Sequence, residues 1–132
     1  MGVLVDTDIC SVHLRGVREV SGRFLQHTGQ LFLSVLSLGE LLSWTLRAKS
    51  SPRYQHGLER FLAEVSLLSV DQAVAIKFGE VRADLLDHGR PLPTVDLLIA
   101  ATALVHGLTL VTHNTRHFGG IPGLNVVDWL ST

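Results

Sequence analysis

Three carboxylic acids and one carboxamide stand where a hydrolytic site could form. Asp6 directly follows a short apolar run, and Glu40 lies early in the segment after a second such run. Asp96 opens a long apolar segment, and Asn114 follows a later apolar run. Clustered carboxylates raise each other's pKa unless a cation compensates, and hard oxygen donors suit Mg²⁺ or Mn²⁺. Such an ion can activate water and stabilise the oxyanion of a phosphodiester displacement, so these residue types indicate metal-assisted hydrolysis.

Each acid also has a purely structural interpretation. Ser37 and Glu40 have the spacing of a capping box, in which Glu40 only completes the start of a helix. Asp96, beside Thr94, could do no more than favour a helix dipole. Asp6 and Asp8 could be turn or cap residues. Asp6 is the hardest to explain in this way, because an acid directly after a buried strand must find a partner or water.

Five short apolar segments predict the strands that would position these residues. They lie at 2–5, 31–35, 67–70, 108–112 and 124–127. Helices are predicted at about 7–14, 17–27, 36–49, 53–64, 72–88 and 95–106. Thr7 or Asp8 is expected to cap the first helix, Asp71 the fifth and Thr94 the sixth. The sixth is apolar almost all round and should be the central buried helix.

The alternation of strands and helices predicts an α/β fold, a mainly parallel sheet of four to five short strands between two helical layers. Residues 113–117 are expected to form a polar turn, and Trp129 to fold back onto the core. In a parallel sheet the carboxyl ends of the strands share one edge, where ligands bind. Asp6, Glu40 and Asn114 can therefore converge there, and Asp96 joins them if its helix starts at the same edge.

Composition bounds the class of protein. The chain has 132 residues with 46% hydrophobic content, which predicts one folded domain over residues 1–132. A net charge of −1 does not favour electrostatic attraction of the whole protein to nucleic acid, so an enzyme that acts on nucleic acid would need a local basic rim. One cysteine, Cys10, fits a reducing compartment, and we find neither a signal peptide nor a membrane span. We therefore expect a soluble, cytoplasmic protein.

With these residues in place, the sequence resembles the PIN-domain nucleases, specifically the VapC-type toxins of bacterial toxin–antitoxin pairs. The resemblance covers nearly the whole chain in order. The matching stretches are VLVDTDI at 3–9, LSV at 33–35, GELL at 39–42, DLLIAA at 96–101, LVTHN at 110–114 with HF at 117–118, and IPGL at 121–124 with VDW at 127–129.

The resemblance implies a Mg²⁺- or Mn²⁺-dependent endoribonuclease. Asp6, Glu40 and Asp96 match the family's acidic metal ligands, and Asn114 stands where a fourth acid is usual. An asparagine still offers a carbonyl oxygen but has one charge fewer than the acid. The replacement therefore argues against a second metal ion more than against the first. In this scheme Asp6 and Asp96 hold the ion, Glu40 orients or deprotonates the attacking water, and Asn114 aids placement.

The same resemblance suggests supporting residues and partners. Thr7 and Thr112 are candidates for hydrogen bonds that orient the carboxylates. Arg47, Lys49 and Arg116 are candidates for binding RNA phosphates at the rim. The family also implies an RNA substrate, a homodimer and a small cognate antitoxin that blocks the acidic pocket.

Other classes of protein share single features with this sequence. His113 and His117 have the spacing of a helical zinc pair, but they lie in a predicted turn without an apparent third ligand. Cys10, next to acids, should be a poor thiolate. The Asp6-Thr7-Asp8 segment is similar to the start of haloacid-dehalogenase-like phosphatases, which also need a downstream lysine and a late acidic pair. The chain has only Lys49 and Lys77, and no acidic pair follows the fourth predicted strand. A receiver domain would need a lysine after its last strands, so it fails similarly. A PIN fold that binds RNA or an antitoxin without cleaving is the remaining alternative, since Asn114 replaces an acid.

Overall fold

The central strand, Val3–Val5 (β1), is buried on both faces. In the computed structural model, which describes residues 2–47 and 49–130, Val3 and Val5 face one hydrophobic core and Leu4 faces the other. Side chains of a strand alternate between its two faces, and a strand covered on both sides is apolar throughout. The short Val-Leu-Val run therefore places Asp6, the next residue, at the edge of the sheet.

Strands and helices alternate along the described residues. The strands are β1 (Val3–Val5), β2 (Leu31–Ser34), β3 (Ser66–Leu68), β4 (Thr109–Val111) and β5 (Val126–Val127). The helices are α1 (Thr7–Leu14), α2 (Arg18–Gln26), α3 (Val35–Thr45), α4 (Pro52–Leu62), α5 (Gln72–Asp87), α6 (Thr94–His106) and α7 (Thr115–Phe118). Every strand that the sequence predicts is present, each within a few residues of its expected bounds.

The strands form one parallel sheet in the order β3-β2-β1-β4-β5. The chain runs from β1 outward to β3 on one side and places β4 and β5 on the other, so the strand order reverses at β1. In open α/β sheets such a reversal leaves a crevice at the carboxyl ends of the strands. Val5 pairs with Val111, so Asp6 and Thr112 leave neighbouring strands at the same level.

Two cores separate the sheet from its helical layers, which confirms the three-layer α/β/α prediction. One core packs helices α1 to α4 against the sheet and contains Phe24, Phe61 and Trp129 in edge-to-face contacts. Trp129 is buried, as the sequence predicts. The other core packs α5 and α6 against the opposite face. Six of the 13 residues of α6 are buried, including the whole run 99–103, which supports its prediction as a buried helix.

Several helix ends differ from prediction. Asp71 caps α5 through the amide of Val74, as expected. Asp6 itself, rather than Thr7 or Asp8, is the N-cap of α1. The prediction that Thr94 caps α6 is wrong: Pro93 occupies the N-cap position and Thr94 is the first helical residue. The fixed φ of proline suits that position without a side-chain cap.

Two other segments also differ from prediction. Helix α3 ends at Thr45 rather than near Lys49. The predicted polar turn at 113–117 contains the short helix α7, whose few residues are too short a window for a helical pattern. Within residues 2–47 and 49–130, no helix combines the length and the apolar character needed to cross a membrane.

Candidate active site

Asp6 lies at the carboxyl end of β1, where its backbone continues the sheet and its side chain turns towards β4. Its amide donates to the Val111 carbonyl at 2.8 Å. One carboxylate oxygen accepts from the Thr7 amide at 2.8 Å, and the other accepts from the Thr112 hydroxyl at 2.9 Å. The residue is only 8% exposed. The cap interpretation of Asp6 is therefore correct, and the same carboxylate also reaches across to the next strand.

Thr112 connects β4 to both early aspartates. Its fully buried hydroxyl lies 2.9 Å from Asp6 Oδ2 and 3.4 Å from Asp8 Oδ2, and it accepts from the Asn114 amide at 3.1 Å. Asp8 Oδ2 also accepts from the His113 amide at 3.0 Å. The turn after β4 is thus held against the turn after β1, which brings Asn114 to the edge where Asp6 lies.

Glu40 reaches the same edge from α3. The Thr7 hydroxyl donates to Glu40 Oε1 at 2.7 Å. The capping-box interpretation of Glu40 is wrong, because Ser34, through the amide of Leu36, caps α3 and Ser37 lies inside the helix. Among the described residues the buried Ser37 hydroxyl has no hydrogen-bond partner. Glu40 is therefore available for a role other than helix capping.

Asp96 approaches from the first turn of α6. Its Oδ2 lies 3.3 Å from His117 Nδ1, and the same nitrogen lies 2.9 Å from the Asn114 side-chain amide. Nδ1 accepts from the Asn114 amide when it carries no hydrogen and donates to Asp96 when it carries one, so the two contacts belong to different tautomers of the His117 ring. Both sides of this junction are polar and partly exposed, which leaves Asp96 accessible from solvent.

One chain of polar contacts joins the four residues that the sequence singles out. It runs through Glu40, Thr7, Asp6, Thr112, Asn114, His117 and Asp96 in that order. Four segments far apart in sequence supply these residues, and they meet at the carboxyl edge where the strand order reverses.

Electrostatics make Asp6 the most perturbed of these carboxyl groups for which a pKa shift is resolved. Burial, together with the charges of Asp8 and Asp96, raises the pKa of Asp6 from its ordinary 3.8 to about 6, even though the hydrogen bonds from Thr112 and Thr7 lower it. Burial also raises the pKa of Asp8. A carboxylate crowded by like charges attracts a cation, so the site is electrostatically prepared for one.

The donor set fits a hard divalent cation. Asp6, Asp96 and Glu40 offer carboxylate oxygens, and Asn114 offers an amide oxygen, all in one connected cluster. Among the residues that the structure describes, no three histidine, cysteine, aspartate or glutamate side chains are close enough together to form a metal cage. Mg²⁺ does not need such a cage, because it keeps several waters and is usually bound through one or two carboxylates.

The other candidate groups have different surroundings. Cys10 is fully buried, and burial followed by the charges of Asp6 and Asp8 raises the pKa of its thiol well above the ordinary value, so it is not a thiolate nucleophile. His113 contacts Asp128 at 3.0 Å. The two histidines of the sequence pair are thus engaged with different acids.

The basic residues proposed for the rim lie in two separate clefts. Arg47 and Lys49 line a cleft of about 570 Å³ after α3, together with Trp44. Arg116 lines another cleft, of about 350 Å³, beside His117. The structure therefore does not bring the three basic residues together.

Comparison with known proteins identifies the family of the chain. The PIN-domain family model matches residues 3–123. This chain belongs to the PIN-domain family. It is similar to a tRNA(fMet)-specific endonuclease VapC of Shigella flexneri, with 33% identity over 127 residues that cover 96% of each chain. The family membership makes the phosphatase and receiver-domain alternatives wrong and identifies the chain as a nuclease of the VapC type.

Two solved structures extend the similarity. One is the crystal structure of DNA-bound VapBC from Salmonella typhimurium, with a TM-score of 0.90, 30% identity and 98% coverage of each chain. The other is VapBC2 from Rickettsia felis bound to a fragment of promoter DNA, with a TM-score of 0.89, 26% identity, and coverage of 98% of this chain and 99% of that one. The whole described PIN fold therefore has close structural counterparts among VapC-type proteins.

Sequence reasoning missed two residues that contact the predicted site. Asp8 was assigned only to a turn or cap, yet it accepts from the backbone after β4. The sequence places His117 only in a predicted turn, with the spacing of a zinc pair, whereas in the structure it contacts both Asp96 and Asn114. A signal for Asp8 exists in the Asp6-Thr7-Asp8 segment, because both of its acids follow the carboxyl end of a buried strand. No comparable signal exists for His117, since its position depends on a helix the pattern does not predict.

Proposed function

We propose that this VapC-type PIN nuclease is a toxin endoribonuclease that hydrolyses RNA phosphodiester bonds with Mg²⁺ or Mn²⁺. The observation that supports this most is the connected acidic cluster around Asp6, whose pKa of about 6 reflects burial and neighbouring carboxylates. Such a cluster is costly to a fold unless a cation relieves it. The names of the relatives, which are VapC endonucleases, support the choice of reaction.

Asp6 and Asp96 would hold the ion, with Asn114 aiding placement. A bound divalent ion supplies charge stabilisation at the phosphate and lowers the pKa of water. The protein keeps its ligands oriented: Thr112 and the Thr7 amide fix the two oxygens of Asp6. Supporting hydrogen bonds of this kind typically change metal affinity or activity by about 10- to 100-fold.

Glu40 would orient or deprotonate the attacking water. Its Oε1 accepts from the Thr7 hydroxyl at 2.7 Å, and the Thr7 amide donates to Asp6. Thr7 therefore fixes the Glu40 carboxylate relative to that of Asp6. Among the described residues its other oxygen has no hydrogen-bond partner. That oxygen is left unengaged by the described residues, as a general base requires in order to take a proton from a bound water.

The partners proposed here are an RNA substrate, a VapB-like antitoxin and a second copy of the chain. The solved relatives from Salmonella typhimurium and Rickettsia felis are VapBC complexes, which supports the antitoxin. Residues 1–132 would act as one catalytic domain in the cytoplasm, where RNA is available. Asn114 in place of an acid would favour one metal ion over two.

The decisive experiment measures cleavage of total RNA by the purified chain with Mg²⁺, with Mn²⁺ and with EDTA. Asp96→Asn should abolish cleavage and weaken Mn²⁺ binding measured by calorimetry, because it removes one proposed ligand charge. Asp87→Asn, on the exposed end of α5, removes the same charge away from the site and should change neither. Unchanged cleavage by Asp96→Asn would contradict the site assignment. Mn²⁺ and RNA binding without cleavage would favour the alternative of a PIN fold that only binds.

A further inference from the structure

Arg90 is held in a defined place by the end of α5. The helix closes with Gly89 at a φ of +65°, the left-handed conformation that glycine adopts without strain. The Gly89 amide donates to the Leu86 carbonyl at 3.1 Å, and the Arg90 amide donates to the Leu85 carbonyl at 2.8 Å. This pair of hydrogen bonds is the Schellman motif. The backbone from which the Arg90 side chain projects is therefore fixed.

The side chain of Arg90 lies where Gly120 leaves space. A Cβ built on Gly120 would overlap the guanidinium of Arg90, while Gly120 itself has an ordinary negative φ. Any residue other than glycine at 120 would therefore push the guanidinium away, with no backbone strain of its own. The absence of a side chain at Gly120 is what allows Arg90 to lie against the segment after α7.

The guanidinium lines a cleft that also contains Arg116 and His117. The cleft has a volume of about 350 Å³ and lies between residues 85–92 and 116–121. His117 connects it to the candidate active site, because its Nδ1 lies 3.3 Å from Asp96 Oδ2. The cleft is therefore next to one of the proposed metal ligands.

The positive charge in this cleft is not paired with a carboxylate within residues 2–47 and 49–130. Among the described residues, neither Arg90 nor Arg116 forms an ion pair with a carboxylate. A guanidinium offers a planar set of donors that matches the oxygens of a phosphate. Two such groups beside an acidic site match the charge of a polyanion that has to pass that site.

We propose that Arg90 and Arg116 bind an RNA phosphate in this cleft, neighbouring the phosphate that is cleaved. The inference rests on the proposed ribonuclease function and adds a positioning site to it. Arg90 acts as a phosphate contact that fixes the register of the strand and carries no base specificity. Binding should therefore weaken uniformly across RNA sequences when Arg90 is removed.

The test uses a fluorescein-labelled single-stranded RNA of about 12 nucleotides, a length chosen as roughly one site size for single-strand binders. Fluorescence anisotropy in EDTA measures Kd at several salt concentrations, so that no cleavage interferes. Arg90→Ala should weaken binding roughly ten-fold at low salt. The slope of log affinity against log salt should also fall by about 0.7, the value for one phosphate contact on a single strand.

Three further variants control this result. Gly120→Ala leaves every charge in place and should still weaken binding, because the new Cβ displaces the guanidinium. Arg90→Lys should keep the salt slope and recover part of the affinity, since it restores the charge without the planar donors. Arg82→Ala removes an exposed arginine of α5 outside the cleft and should leave binding unchanged. Thermal unfolding of all variants checks that the fold is intact.

The outcomes separate this inference from the proposed function. If the wild type binds RNA and Arg90→Ala loses no more affinity than Arg82→Ala, the phosphate site is overturned. Cleavage of total RNA with Mg²⁺ would in that case still support the nuclease. If binding in EDTA is too weak to measure, the KM of cleavage makes the same comparison. Neither binding nor cleavage by the wild type would remove both proposals. If Arg90→Ala changes the elution volume on size exclusion but leaves RNA binding unchanged, the cleft contacts a second copy of the chain, which also overturns the inference.

Discussion

Replacing Asp6 by asparagine should stabilise the metal-free protein while it removes a proposed metal ligand. The folded-state pKa of Asp6 is about 6, against an ordinary 3.8. The folded chain therefore binds the Asp6 proton more tightly than the unfolded chain does. By linkage, the Asp6 contribution to the free energy of unfolding is most favourable below pH 4 and is lost as the pH rises through about 6.

The size of the effect follows from the same two values. The difference between 3.8 and about 6 corresponds to about 3 kcal/mol at pH 8. An asparagine keeps an oxygen to accept from the Thr7 amide, but its NH₂ must face the Thr112 hydroxyl, so part of the gain is lost. A net gain of roughly 2 kcal/mol is expected, which for a chain of this size raises Tm by about 6 °C.

The assay is thermal unfolding in EDTA at pH 8 and at pH 4.5. Asp6→Asn should exceed the wild type in Tm at pH 8. At pH 4.5 Asp6 is largely protonated in the folded state, so the penalty for its charge falls to about 1 kcal/mol, which the loss at Thr112 offsets, and the two Tm values should nearly coincide. Asp87→Asn, an exposed carboxylate on α5, should change stability by less than about 0.5 kcal/mol at either pH. A Tm for Asp6→Asn at or below the wild-type value at pH 8 would refute the argument from burial.

Two further substitutions test the scaffold around the site. Thr112→Val keeps the shape of a fully buried side chain but removes the hydroxyl that contacts Asp6 and Asn114. The free energy of unfolding should fall by about 2 kcal/mol. The rate of RNA cleavage should fall about 10- to 100-fold. Full activity in that variant would show that the contact is not needed to orient Asp6. Phe24→Ala removes a ring that stacks on His13 at 3.9 Å and meets Trp129 at 5.3 Å. Denaturant unfolding should show a loss of about 3–5 kcal/mol, and a loss below about 1 kcal/mol would mean that the core closes over the cavity.

The strands and the polar network differ in how far sequence predicts them. The apolar runs around Val3–Val5 and Thr109–Val111 predict the buried strands, because full burial on both faces of a parallel sheet requires apolar residues throughout. Strand ends then bring Asp6 and Asn114 to one edge. The catalytic roles of these residues stay predictions, since geometry alone does not assign them.

The parts that sequence does not predict depend on exact backbone positions. Ser34, not Ser37, caps α3, because the strand ends one residue earlier than its apolar pattern does. The contact of His117 with Asp96 needs α7, a helix of only four residues. The fit of Arg90 against Gly120 depends on the missing Cβ of a residue 30 positions away in sequence. The hydrophobic pattern of a short segment does not predict such contacts between residues that are distant in sequence.

The hydrogen bond between Asp6 and Thr112 also sets when the site can exist during synthesis. The two residues are 106 positions apart, so at about 5–20 residues per second the ribosome needs roughly 5 to 20 s to add Thr112 after Asp6. The Thr112 amide in turn donates to the Val127 carbonyl, so β4 is complete only when β5 lies beside it. A nascent chain that lacks these strands has Asp6 but no partner for its second oxygen. The polar network around Asp6 therefore cannot form before β4 has been synthesised, and an unfinished chain does not contain it.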